Sequence, residues 1–252
     1  MNQPGGIEVL LRSLRLPSVL REYQTLAGSA QAAEWSYEQY LRALLELEVH
    51  ERHQRKITRL LKRSQLPDGK NLATLDQKRL PVKVRRQIPK LLEGTFVERA
   101  ENILAFGLPG RGKTHLLAAI AQELIVNQGY AVLFTSTRRL VERLLIAKRD
   151  LQLEELFRKL DRFDVVLLDD IGYVQQNREE MEVLFTFLSE RYERRSLMIT
   201  SNLVFSEWDR IFKDPMTTVA AIDRLIHHSI ILELDNLSYR AEQARLRQNQ
   251  DN

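Results

Sequence analysis

One stretch constrains this chain more than any other. Gly107-Leu108-Pro109-Gly110-Arg111-Gly112-Lys113-Thr114 follows the apolar run Ile103-Leu104-Ala105-Phe106 and opens a helical pattern that continues to Gln128. A G-x-x-x-x-G-K-[ST] loop, delivered by a strand and left by a helix, is built to hold phosphate. Its glycines let the backbone approach an anion and turn N–H groups inward. The helix starting near Lys113 adds the partial positive charge of its N-terminus. In such a loop the lysine, here Lys113, reaches the β- and γ-phosphates, and the hydroxyl of Thr114 ligates Mg²⁺. His115 follows directly; it borders the expected ligand and otherwise reads as an ordinary helix residue.

Short apolar runs alternate with helical patterns on both sides of this loop. Ala131-Val132-Leu133-Phe134, Val165-Val166-Leu167-Leu168, Leu197-Met198-Ile199-Thr200 and Ile230-Ile231-Leu232-Glu233-Leu234 read as further strands. Helices are expected over about 137–149, 152–160, 178–194, 204–213 and 218–228, and Gly129 stands where a helix-ending glycine belongs. The alternation predicts an α/β domain with a five-stranded parallel sheet covered on both faces. Asp169-Asp170 closes the third strand, where a carboxylate faces the ligand crevice of a parallel sheet. Alone, an acidic strand end is as readily a turn. Beside the phosphate loop, Asp169 is expected to hold Mg²⁺, and Asp170 to orient or deprotonate the attacking water. The commoner pair here is Asp-Glu. A carboxylate one methylene shorter points to slow hydrolysis or a water relay.

Residues 1–66 read as a small helical domain. Ser36-x-x-Gln39 is a capping box opening a long helix, Pro17 interrupts an earlier one, and Pro67-Asp68-Gly69 ends the run. Residues 67–100, punctuated by Pro81, Pro89 and Gly94, are expected to form a linker with one or two short helices before the ATP-binding type of domain at 101–252. The chain has no cysteine, which excludes disulfides, a thiol nucleophile and thiolate metal sites. No apolar run approaches a membrane span, and Met1 to Gly6 shows no signal-peptide pattern, so the expected location is cytoplasmic, at the nucleoid. His50/His53 and His227/His228 lack the company a metal site needs.

The charge is uneven. Arg52 to Arg99 holds 14 Lys and Arg against 4 Asp and Glu, a net +10 in a chain whose total is +4. Arg52, Arg55, Lys56, Arg59, Lys62 and Arg63 recur at helical spacing as a basic stripe suited to the phosphates of double-stranded DNA. A solvated helix end is the plainer alternative. Arg138, Arg139, Arg143, Lys148 and Arg149 form a second basic stretch, of which Arg138, Arg139 and Arg143 are the expected DNA contacts. No base-reading motif is visible, so sequence specificity is expected to be low.

The loop, together with Asp169-Asp170-Ile171-Gly172, resembles the AAA+ clade that contains the DnaA initiator and the DnaC helicase loader. Arg191 to Asn202, Phe205-Ser206-Glu207-Trp208, Ala221 to His228 and Ser238-Tyr239-Arg240 are similar to the IstB-like helper ATPases of insertion-sequence transposition. The likeness is dense over about 101–240 and thinner over 1–66. It implies an AAA+ domain that binds ATP–Mg²⁺ at the subunit interfaces of a homo-oligomer, binds DNA, and serves a cognate transposase; the alternative is a replicative helicase loader. A third reading, from another class, is a nucleotide-gated DNA-coating protein. By the same likeness Asn202 corresponds to sensor 1, Arg224 to an arginine finger acting on the neighbour's ATP, and Arg240 to sensor 2, while residues 137–160 correspond to an insert that faces DNA. Without the family, Arg224 reads as a surface ion pair and Asn202 as a helix cap. Leu108 and Arg111 depart from the family's usual loop, and the role of Arg111 is open. The chain stops soon after Arg240, so a helical lid is expected to be missing or minimal.

Overall fold

The computed structural model describes residues 4–173, 178–203, 225–236 and 238. The helix expected over 204–213, that over 218–228 up to residue 224, and both Arg224 and Arg240 lie outside the described residues. The chain divides into two compact units, Met1–Arg59 and Leu60–Asn252.

The first unit is helical: α1 (Pro4–Ser13), α2 (Pro17–Ala32) and most of α3 (Tyr37–Ser64). The capping box forms as its spacing demands. Gln39 N–H donates to Ser36 Oγ at 3.2 Å, and Ser36 N–H donates to the Gln39 amide oxygen at 2.7 Å. Pro17 sits in the first turn of α2, where its missing N–H costs nothing. Leu16, in the capping position, has no side chain to serve that turn. The buried Glu48 of α3 serves it instead, accepting from the backbone N–H of Ser18 at 2.8 Å and of Val19 at 3.4 Å. Arg52 and Arg55 complete its pairing at 3.2 and 3.1 Å. Burial alone would raise the Glu48 pKa, but the N–H groups of Ser18 and Val19 and the Arg52 guanidinium outweigh it and hold the carboxyl below its ordinary value.

The second unit carries the sheet. Strands β1 (Asn102–Phe106), β2 (Val132–Ser136), β3 (Val165–Asp169), β4 (Ser196–Ser201) and β5 (Ser229–Glu233) are all parallel, in the order β2-β3-β4-β1-β5. β1 is buried along its whole length, as an apolar strand covered on both faces must be. The residues before β1 join this unit. A 3₁₀ turn (Gln77–Arg79) leads into α4 (Val82–Leu92) and α5 (Thr95–Glu98). Leu80, Val84, Ile88, Leu91 and Phe96 are all buried, and α4 packs on the helix that follows the phosphate loop. The prolines that suggest an irregular linker stand before α4 and inside it. That following helix, α6 (Lys113–Glu123), widens into a π turn (Leu124–Gln128) before Gly129 ends it in the left-handed conformation. Helices α7 (Thr137–Arg149), α8 (Leu153–Leu160) and α9 (Arg178–Arg191) complete the described layers. Leu140 and Leu144 of α7 share a core with Val166, Leu168, Leu184, Phe187 and Ile199.

At the N-terminal end of β3 and β4 lies one buried cation. Arg191, 1% exposed, donates to the carbonyls of Leu160, Phe163, Asp164 and Ser196 at 3.0–3.3 Å. Burial lowers its pKa to about 10, partly offset by Asp161. It ties the end of α8 to the starts of two strands.

The Glu48 cluster generates a prediction. A carboxyl with a depressed folded pKa stabilises above its unfolded value of 4.5, and that stabilisation is lost as pH falls through the folded value. Glu48→Ala should cost about 3 kcal/mol at pH 7, because it leaves two arginines and a helix start uncompensated. In urea unfolding followed by circular dichroism, the gap between wild type and variant should close as pH drops below 4.5.

Candidate nucleotide-binding site

The loop from Gly107 to Gly112 leaves the end of β1 and enters α6 at Lys113. Gly107 has φ near 148°, and a Cβ there would drive into the carbonyl oxygen of Leu234, so no other residue fits. Gly112 caps α6 at φ 91°, and a Cβ at that position would meet open space; it is the backbone angle that requires glycine. The Lys113 ammonium, largely buried, donates to the carbonyls of Gly107 at 2.6 Å and Leu108 at 3.1 Å, folded into the mouth of its own loop. Arg111 is tied to the chain after β5. Its guanidinium donates to the Leu234 carbonyl at 3.1 Å, while Asn236 donates to the Arg111 carbonyl at 3.3 Å. The loop is thereby strapped to the chain leaving β5. Leu108 is exposed.

Parallel register aligns the acidic end. Leu168 of β3 lies beside Ile199 of β4, so Asp169 lies level with Thr200. Asp169 Oδ1 accepts two hydroxyl hydrogen bonds, from Thr114 at 2.7 Å and from Thr200 at 2.8 Å. The Thr200 oxygen in turn accepts the Asp170 N–H at 2.7 Å. Thr137, at the start of α7, donates to the Asp169 carbonyl at 3.2 Å. Asp170 adopts a left-handed backbone, φ 63°, a conformation aspartate tolerates better than most residues. Its Oδ1 is buried and has no hydrogen-bond partner among the described residues, and the same holds for Oδ1 of Asn202. Burial first, and the Asp169 charge second, raise the Asp170 pKa against the opposing pull of Lys113.

Beside the loop lies a cavity of about 460 Å³, walled by Gly110 to His115 on one side and by Lys70, Thr74, Asp76 and Arg79 on the other. The His115 Nε2 stands 3.1 Å from the Asn71 carbonyl and 3.1 Å from the Thr74 hydroxyl. A carbonyl only accepts, so this ring nitrogen carries the hydrogen. The imidazole thus fastens α6 to the segment before α4.

The expected basic residues are all exposed. On α3, Arg52 and Arg55 are partly committed to Glu48, whereas Lys56 and Arg59 have no ion pair among the described residues. Further along, Lys62 is likewise unpaired, and the Arg63 guanidinium lies 5.3 Å from the centre of the Phe163 ring. On α7, Arg138, Arg139 and Arg143 share the exposed face, with Arg138 paired to Glu142 at 2.9 Å.

Comparison with known proteins decides the family. The model for the IstB-like ATP-binding protein matches residues 9–247. The chain belongs to this IstB-like family. An insertion-sequence ATP-binding protein of Sinorhizobium fredii is 44% identical over 94% of this chain and 79% of its own length. The IS21 ATP-binding protein of Pseudomonas aeruginosa is 37% identical over 95% of this chain and 90% of its own. Among solved structures, the DnaC helicase loader superposes with a TM-score of 0.56 at 19% identity, covering 67% of this chain and 98% of the loader. AMPPCP-bound DnaA of Aquifex aeolicus gives 0.53 at 18% identity, covering 73% and 56%. The fold is that of the AAA+ proteins, and the protein binds ATP, as IstB-like proteins do.

Sequence reasoning missed Thr200, although it is the partner that joins Asp169 to Asp170. Only a known β3–β4 adjacency would have marked it. Two outcomes follow for this IstB-like site. Lys113→Ala should weaken ATP binding at least about tenfold by calorimetry, because the charge-assisted contacts of the loop are lost. Asp170 has a folded pKa above its unfolded value of 3.8, so its charged form is penalised in the fold at any higher pH. Asp170→Asn should therefore raise the melting temperature of the nucleotide-free protein at pH 7, and the gain should vanish towards pH 4.

Proposed function

We propose that this protein hydrolyses ATP with Mg²⁺ and uses the nucleotide cycle to assemble on duplex DNA, where it selects or remodels a transposition target and recruits or activates a transposase. The observation that carries the enzymatic part is the Asp169 carboxylate shared by Thr114 and Thr200, with Asp170 turned aside and its oxygen unpaired. The residues fit the ligands. Thr114 and Asp169 offer the hard oxygen donors that Mg²⁺ takes alongside phosphate oxygens, one carboxylate being enough. When bound, the cation neutralises charge on the phosphate oxygens. Lys113 has donors to transfer from its own loop carbonyls to phosphate. Asp170, whose buried Oδ1 has no partner among the described residues, is suited to orient a water and accept its proton. Asn202, just after β4, would supply an amide. In this reading Arg224 acts on the ATP of the neighbouring subunit and Arg240 on the ATP of its own.

The insertion-sequence relatives support transposition as the setting. The helicase-loader alternative has a likeness of fold behind it and no more. The exposed cations of α3 and α7 supply a sequence-independent grip on phosphates. The helical region 1–66 and the basic residues 67–100 would carry DNA and client contacts, and 101–252 the ATPase.

Three measurements test the proposal. Turnover should require DNA-bound assemblies, and Asp170→Asn should cost about a hundredfold or more in turnover. Arg224→Ala should leave ATP binding intact and cut hydrolysis about a thousandfold. Mixing that variant with Asp170→Asn should restore part of the rate, and no rescue at any ratio would remove the action in trans. Replacing Lys56, Arg59 and Lys62 by Gln should flatten the slope of log K against log salt for duplex DNA by about 2 to 3.

A further inference from the structure

The turn after β3 contains a glycine that its own backbone does not require. Asp170 occupies the left-handed region, and a 3₁₀ turn (Ile171–Tyr173) follows, anchored by the fully buried Ile171. Gly172, in the middle of that turn, is not among the glycines with positive φ, so alanine could adopt its backbone angles without strain. What excludes a side chain is Asn202. A Cβ on Gly172 would fall on Asn202 Oδ1, well inside contact distance, and would lie 3.2 Å from Asn202 Cγ and 3.4 Å from Leu203 Cγ.

Asn202 can give way only by turning its side chain, because its backbone is held. It follows β4, where the Ser201 carbonyl accepts the Gly107 N–H at 3.2 Å. The Ser201 hydroxyl donates to the Leu203 carbonyl at 2.8 Å and accepts its N–H at 3.1 Å. The backbone on either side of the amide is therefore pinned to the phosphate loop and to itself. Within this fixed frame the amide presents a buried oxygen with no donor among the described residues, as Asp170 does. Buried acceptors are as a rule paired, so two left open on adjoining strand ends call for an explanation.

We infer that Gly172 is the positioning residue for Asn202: the lack of a side chain at this one position leaves the amide the space in which it serves hydrolysis. The inference rests on the role proposed above for Asn202. It assigns Gly172 an effect on turnover that passes through one side chain, with no contact to nucleotide and no part in the folding of the turn.

The test is a double-variant cycle in the full-length protein, reading affinity for a non-hydrolysable ATP analogue, steady-state turnover and melting temperature. Gly172→Ala should change analogue affinity by less than about threefold and lower kcat by about a hundredfold, the cost of displacing a positioned group by an ångström. Asn202→Ala should show a loss of the same size. In the Asn202→Ala background, Gly172→Ala should lower neither kcat nor the melting temperature further, because the oxygen it collides with is gone. Should Gly172→Ala prevent folding in the wild-type background, the inference requires that the double variant folds. Asn202→Ala with wild-type turnover would overturn the proposed role of Asn202, and this inference with it. Asn202→Ala impaired while Gly172→Ala turns over normally would overturn the inference alone. So would a Gly172→Ala loss, in rate or in folding, that is equally large in both backgrounds.

Discussion

One carboxylate oxygen holds the site together. Asp169 Oδ1 receives a hydroxyl from the phosphate-loop helix and a hydroxyl from the neighbouring strand. Hydrogen bonds to an ionised acceptor are about twice as strong as neutral ones, and here two of them converge from separate elements. Through them α6, β3 and β4 share a common end point. The second acid, Asp170, has its N–H engaged by Thr200, while its buried Oδ1 has no partner among the described residues. The two carboxylates differ in environment, since one oxygen of Asp169 accepts two hydroxyls and Asp170 is buried beside a like charge.

The opposite end of the same strand pair is held by a different polar device. Arg191 gathers four carbonyls where β3 and β4 begin, and Thr200 bridges two acids where they end. A slip of β4 by one residue would break both at once and turn its apolar side chains to the wrong face. The apolar strands supply most of the burial, while these two clusters fix which residue stands beside which. In the first unit Glu48 does similar work, feeding a helix start that has no cap of its own.

Much of this was legible in the residues. The capping box at Ser36 and Gln39, the phosphate loop, the helix-ending Gly129 and the alternation of apolar runs with helices all depend on local spacing, which a sequence displays directly. Strand ends were less visible. β2 continues through Thr135 and Ser136, two polar residues carried into the sheet by pairing with Leu168 and Asp169. β5 starts at Ser229 for the same reason, pairing with Asn102. Charge counting found the basic block but not Glu48, which draws Arg52 and Arg55 into the packing of the first unit. The segment before β1 reads as irregular because of its prolines, yet buries a row of apolar residues. Thr200 and Gly172 were silent because their partners stand some 30 residues away.

The strap on the phosphate loop has a wider mechanical meaning. Gly107 abuts the Leu234 carbonyl, Arg111 grips that same oxygen, and Asn236 grips Arg111 in return. The cradle therefore has no independent play relative to the chain that leaves the last strand. A shift of the Leu234 carbonyl would break the Arg111 contact and change what Gly107 packs against in one movement. One carbonyl oxygen at the end of β5 is thus both the wall that keeps position 107 bare and the anchor of the Arg111 side chain.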